Sequence, residues 1–185
     1  MDILPKWLTA EREQWRGCAE TFRKYTSAVF KAAFLGMFLC HALFLFYGYT
    51  SPDGTNEGLF YYWNQNWALS IGRWMMRYLS AAGCNVVMPA IFLAFNATCT
   101  ATAMLLLADL WHIESKPLLI LSTVSLVVAP SVIEQHLVIY MAYVYGFSLL
   151  MTVLASYLVL TKKGWPSFVV AVLALACGMG GYQAW

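Results

Sequence analysis

Five apolar runs set the pattern of this chain, at about residues 27–48, 85–110, 117–133, 137–160 and 167–184. At 17 to 26 residues, each is long enough for a helix to cross a hydrocarbon core about 30 Å thick. Short hydrophilic breaks separate the later runs: WHIESK at 111–116, EQH at 134–136 and TKKGWPS at 161–167. The pattern predicts an all-α bundle of about five transmembrane helices. Pro89 and Pro130 can kink their helices, which a bundle tolerates when neighbours satisfy the freed carbonyls. Asn96, Thr98, Thr100 and Thr102, interspersed with alanines, predict close helix packing in the second span. His41, inside the first span, either marks a functional site or hydrogen-bonds to a neighbouring helix.

One polar interruption is long. It fills 49–84 and opens with SPDGTNEG, which carries Asp53 and Glu57 in a turn set by Pro52 and Gly54. From Trp63 to Tyr78 the spacing predicts a helix, with Gly72 as its one weak point. Trp63, Trp67, Ile71, Trp74 and Tyr78 form one stripe of that helix. Asn66, Ser70, Arg73 and Arg77 form another, about 90° round by helical geometry. An apolar, Trp-rich helix with one polar strip suits the membrane interface, where indole rings favour the headgroup level.

Composition narrows the class. The chain is 61% hydrophobic and 11% charged, against roughly 25% charged in soluble domains. Its mean hydropathy of +0.64 agrees with an integral membrane protein. The five cysteines show no CxxC or metal-ligand spacing, and most lie in or beside apolar runs, where Cys acts as a small hydrophobe. No metal, cofactor or nucleic-acid partner is expected. Residues 1–26 carry mixed charge and form a cytoplasmic N-terminal segment, with Trp7, Leu8, Trp15 and Phe22 on one side of a short surface helix. The first apolar run begins too late for a cleaved signal peptide and is retained.

The basic residues set the orientation. With the N-terminus inside, the cytoplasmic segments hold Lys6, Arg12, Arg16, Arg23, Lys24, Lys116, Lys162 and Lys163, and the outer ones only Arg73 and Arg77. This positive-inside bias turns the 49–84 loop outward, together with Glu134. Two guanidinium groups at headgroup height suit a phosphate, because arginine offers planar, bidentate donors; they equally suit bulk lipid headgroups. A carboxylate beside them can take the proton of an incoming hydroxyl, or it is simply a solvated loop acid. Asp53, Glu57 and Glu134 are the candidates.

In their order along the chain, several short motifs resemble a family. They are the acidic loop after the first span, the Trp-rich helix ending in Gly72-Arg73-Trp74, Met88-Pro89 at the second span, and the late Gly181-Tyr182-Gln183-Ala184. Over about residues 27–185 this resembles the bacterial type II glucosyltransferases that modify O-antigen. The resemblance implies the GT-C superfamily of polytopic, inverting glycosyltransferases, which use polyprenyl-phosphate sugars and take a catalytic acid from the first outer loop. By position, Asp53 would be the general base and Glu57 its rival. Arg73 and Arg77 would hold the donor phosphate, and Trp74, Glu134, Tyr182 and Gln183 would line the substrate cavity. The implied partners are an undecaprenyl-phosphate-linked sugar, a glycan acceptor and the lipid bilayer. Two departures stand out: the family shows a denser acidic cluster, and it has more spans. Residues 27–185 are therefore expected to be the N-terminal part of a longer transmembrane domain.

Two other functions are open to such a chain. A flippase or scaffold of a glycan pathway would grip lipid phosphate through the arginines and have no use for Asp53. A small-molecule transporter would place ionisable groups near the midplane and repeat itself internally, and neither feature is clear in this sequence.

Overall fold

The computed structural model describes residues 6–42, 69–70, 72–82, 89–129, 142–162 and 164–181. Among them the regular structure is helical, without a strand. The helices are α1 (Lys6–Cys40), α2 (Trp74–Ala82), α3 (Pro89–Leu110), α4 (Lys116–Val128), α5 (Ala142–Thr161) and α6 (Trp165–Gly181). The all-α bundle expected from the apolar runs is the observed fold. Asp53, Glu57, Glu134, Tyr182 and Gln183 lie outside the described residues, as do Trp63, Trp67 and most of the 49–84 loop.

α3 is the central helix. It packs against α1 on one side and α5 on the other, while α4 leans on α1 and α3, and α6 pairs with α5. The core follows from an i, i+4 stripe on α1, made of Tyr25, Val29, Ala33 and Met37. That stripe meets Phe92, Leu93, Ala97, Ala101 and Leu105 of α3 and Leu119 and Val127 of α4. A second cluster joins Cys18 of α1 to Ala103 and Leu106 of α3, Val153 and Tyr157 of α5, and Ala171 of α6. Alanines at these contacts let backbones approach, which is how helices associate where lipid tails are as apolar as leucine. Away from the core, Leu35, Leu121, Leu160 and Leu173 are each at least 60% exposed. Large apolar side chains turned outward on four helices suit a bilayer better than water.

Helix ends explain the breaks. At the close of α3, Ile113 N–H donates to Ala108 O at 2.8 Å and His112 N–H to Asp109 O at 3.3 Å. This is a Schellman stop, with His112 in the left-handed position (φ 52°) that glycine usually takes. Ser115 then caps α4, its hydroxyl accepting from Leu118 N–H, and Pro117 supplies the preset φ of a first turn. The break WHIESK is thus a tight helix–helix connection. α4 ends at Val128, short of the expected residue 133, because Ala129 precedes Pro130 and takes an extended conformation (φ −55°, ψ 132°). Pro89 opens α3 instead of kinking it.

α1 runs unbroken from Lys6 to Cys40, with residue 26 inside it. One expectation changes. The expected helix from Trp63 to Tyr78 does not continue through Gly72: there φ is +81°, and a new helix starts at Trp74 and runs on to Ala82. Asn96 does mediate close packing, but Thr98 and Thr102 hydrogen-bond to carbonyls of their own helix at 2.8 Å. His41 is buried, and its Nδ1 lies 2.8 Å from the Met37 carbonyl one turn back on α1.

Candidate functional site

The expected site residues that the structure describes gather at one end of the bundle, beyond the N-termini of α3 and α5 and the C-terminus of α6. The chain arrives there in a turn, in which Gly72 N–H donates to Leu69 O at 3.1 Å. Its left-handed φ is open to glycine at no steric cost. The turn leaves Arg73 just ahead of α2, its carbonyl accepting from Met76 N–H at 3.2 Å. Arg73 and Arg77 therefore remain one helical turn apart, although the helix is shorter than expected. Their surroundings differ: Arg73 is half-buried with Nε shielded from solvent, whereas Arg77 is exposed.

α2 docks across α6 and α5. Met76 is its buried anchor. Trp74 lies over Gly180 of α6 so closely that a Cβ there would sit 2.5 Å from the indole Cε2. Tyr78 meets Trp74 edge-on, with ring centroids 6.1 Å apart, so this part of the expected aromatic stripe survives the break at Gly72. Gly181 is packed against the Ser148 hydroxyl and Val144 of α5, and Gly178 against Thr152. The sequence GMGG thus lets α6 close onto two helices at once. Trp74 and Gly180, about a hundred residues apart in sequence, meet at this contact.

Polar groups continue beneath. Asn96 is buried on α3, and its Oδ1 accepts from Gly146 N–H at 2.9 Å, close to the start of α5. Ser148 is fully buried, and its Oγ has no hydrogen-bond partner among the described residues. Asparagine and serine between spans are costly in lipid unless bonded, so these two groups mark a polar spot within the α3–α5–α6 interface at this end.

The opposite end carries a network that sequence reasoning missed. Asp109, in the last turn of α3, accepts from Thr21 Oγ1 at 2.8 Å and from the Tyr157 hydroxyl at 2.7 Å. Tyr25 donates to the Glu114 carbonyl at 2.6 Å. Lys162, expected in a cytoplasmic segment, is buried with Nζ 4.3 Å from the centre of the Trp15 ring. The Cys18 thiol is pushed up from its ordinary pKa, chiefly by burial and further by the Asp109 carboxylate, with Tyr157 and Lys162 acting the other way. A cavity of about 590 Å³ opens there, lined by Glu20, Lys24, Asp109, His112 and Glu114 among others. The signal for Asp109 was available: it is a carboxylate inside an apolar run, which marks an ionisable group needing partners. Its role here is to tie α1, α3 and α5 together. No cluster of metal-ligating side chains occurs among the described residues.

The family model for glucosyl transferase GtrII matches residues 42–185. The chain belongs to the GtrII glucosyltransferase family. The matched region takes in the Gly72 turn, α2, α3 to α6 and the Trp74–Gly180 contact. No curated protein and no solved structure matches the chain. Membership in the GtrII family assigns the chain to glucosyl transfer, with a sugar donor and a glycan acceptor. It also agrees with the helices: Ala90–Leu110 and Val144–Thr161 are long and apolar enough to cross a membrane, and Lys116–Val128 and Trp165–Gly181 are shorter apolar helices. This member of the GtrII family is a membrane protein.

Proposed function

We propose that the chain transfers glucose from undecaprenyl phosphate to a cell-surface polysaccharide or related glycan, at the outer face of the membrane, as a multi-pass enzyme of the GT-C type. The observation that carries this is the contact between Trp74 and Gly180, which brings Arg73 to the helix end that leads into Tyr182 and Gln183. Lys116 and Lys162 at the other end of the bundle support a cytoplasmic face there, with the N-terminus inside.

In this mechanism Asp53, or Glu57 in its place, takes the proton of an acceptor hydroxyl. The oxygen attacks C1 of the glucose from the side opposite the phosphate. The C1–O bond to the phosphate breaks, and the lipid phosphate leaves with the electron pair, so the anomeric configuration inverts. Arg73, with Arg77 one turn along, offsets the charge that grows on the departing phosphate, the kind of electrostatic assistance that commonly dominates such steps. The half-buried position of Arg73 favours it over Arg77 as the tighter phosphate ligand, since a shielded charge is less screened. Trp74, Tyr182, Gln183 and Glu134 line the space where donor and acceptor meet.

The test is transfer of labelled glucose from polyprenyl-phosphate glucose, in membranes carrying the longest reading frame that contains this chain. Asp53→Asn should lose at least about 100-fold in rate, the low end for loss of a general base, while Glu57→Gln retains transfer. The reverse result moves the base to Glu57. Absence of transfer by the correctly inserted wild-type protein refutes the proposal and favours a non-catalytic lipid-phosphate binder.

A further inference from the structure

α1 and α4 meet closely where Gly36 faces Val127, a Cβ on the glycine lying 3.4 Å from Val127 Cγ1. Toward the Lys116 end a cavity of about 390 Å³ opens between the same two helices. Three lysines line it, Lys24 and Lys31 from α1 and Lys116 from the first turn of α4, with Ser27 between the first two. The rest of the lining is apolar and includes Ala32, Leu35 and Ile120.

Spacing on α1 explains the arrangement. Residues 24, 27 and 31 recur at i, i+3 and i+7, and 28, 32 and 35 continue the same face. The groove thus runs from cations to hydrocarbon along one side of a helix. Its lining contains no carboxylate; Glu20 and Glu114, near Lys24, line the neighbouring cavity. Lys31 is the sharpest feature. It is the one charged residue in the apolar run 27–48, it is exposed, and no carboxylate pairs with it among the described residues. An ionisable group within a span calls for a partner. A basic pocket between helices on the cytoplasmic side is where anionic lipid headgroups bind.

We propose that the α1–α4 groove is a binding site for an anionic phospholipid, its headgroup phosphate held by Lys24, Lys31 and Lys116 and its acyl chain lying along Ala32, Leu35 and Ile120. The occupant is a phospholipid and not a soluble anion because the wall beyond Lys31 is apolar, Ala32 and Leu35 continuing it for about one helical turn with Ile120 from α4. The site lies at the opposite end of the bundle from Arg73. It rests on the membrane character of the chain and is independent of the sugar donor, so its failure would leave the proposed transfer untouched.

The experiment is native mass spectrometry of the full chain, released from detergent in the presence of phosphatidylglycerol or of phosphatidylcholine with the same acyl chains. The expected result is preferential retention of phosphatidylglycerol, reduced about fivefold for each lysine replaced by glutamine. Lys24→Gln/Lys31→Gln/Lys116→Gln should bring it down to the phosphatidylcholine level. Arg23→Gln, which removes an exposed charge beside but outside the groove, should leave it unchanged. Lys116→Gln alone, at the exposed start of α4, keeps the test available if the triple variant does not fold. Equal retention of both lipids by the wild type would overturn the proposal, as would unchanged retention in Lys116→Gln. Displacement of the lipid by millimolar inorganic phosphate, or tighter lysine-dependent retention of polyprenyl phosphate, would overturn the assignment to a phospholipid.

Discussion

Gly180→Ala tests the junction between α2 and α6 through the sign of its effect. Gly180 lies in the last turn of α6 with no left-handed φ, so an unobstructed Gly180→Ala should be neutral or stabilise the protein, by at most the roughly 1 kcal/mol that alanine is worth over glycine in a helix interior. Here the new Cβ would lie 2.5 Å from Trp74 Cε2 and 2.9 Å from Cδ1. Those atoms belong to a rigid ring that cannot yield as a flexible chain end would. Overpacking of this kind costs about 1–3 kcal/mol, which leaves a net loss of about 0–3 kcal/mol. Removing the indole removes the obstacle. In a Trp74→Ala background the same substitution should therefore stabilise by up to about 1 kcal/mol. The assay is reversible unfolding in mixed micelles of wild type, both single variants and the double variant, read as a double-mutant cycle. A coupling of about 1–3 kcal/mol supports the contact. An effect of Gly180→Ala that is equal in both backgrounds, within about 0.5 kcal/mol, refutes it.

Three further outcomes follow from the same structure. Gly17 is exposed in the middle of α1 with nothing within 4 Å of an added Cβ, so Gly17→Ala should stabilise by up to about 1 kcal/mol in the same unfolding assay, and a loss would mean the helix is broken there. Tyr157→Phe removes one of two donors to the Asp109 carboxylate and should cost about 1.5–3 kcal/mol; a change below about 0.5 kcal/mol would deny that bond any role in holding α5 to α3. The raised pKa of Cys18 keeps its thiol protonated at neutral pH, so its maleimide labelling, followed by peptide mapping, should be much slower in the folded protein than after denaturation. Equal rates would contradict its burial against Tyr157.

Much of the fold was legible because apolar run length and polar breaks are local signals. α3, α5 and α6 lie where composition put them, and the WHIESK break proved to be a Schellman stop followed by a serine cap. The turn at Gly72 was harder. A glycine inside a helical pattern is either tolerated or a break, and the Trp and Arg periodicities ran through it without interruption. The long-range contacts were not legible at all. Asp109 finds Thr21 and Tyr157 at separations of 88 and 48 residues, and nothing near Trp74 announces that Gly180 will receive it. Lys162 followed the positive-inside count yet is buried over Trp15, because its hydrocarbon stem and ammonium both suit an aromatic face. Of the candidate site, Arg73, Trp74 and Arg77 are placed together. Asp53, Glu57, Glu134, Tyr182 and Gln183 remain assignments made from motif order.

The central claim is that Arg73, set beside the end of α6, grips a lipid-linked phosphate. The most direct measurement is the affinity of the purified protein for polyprenyl phosphate, compared between wild type and Arg73→Ala, with Arg77→Ala alongside. Loss of a charge-assisted hydrogen bond is worth about 1.5–3 kcal/mol, so Arg73→Ala should weaken binding about 10- to 150-fold, and Arg77→Ala, whose group is exposed, should weaken it less. Unchanged affinity in Arg73→Ala would contradict the account and leave that arginine an anchor for bulk headgroups.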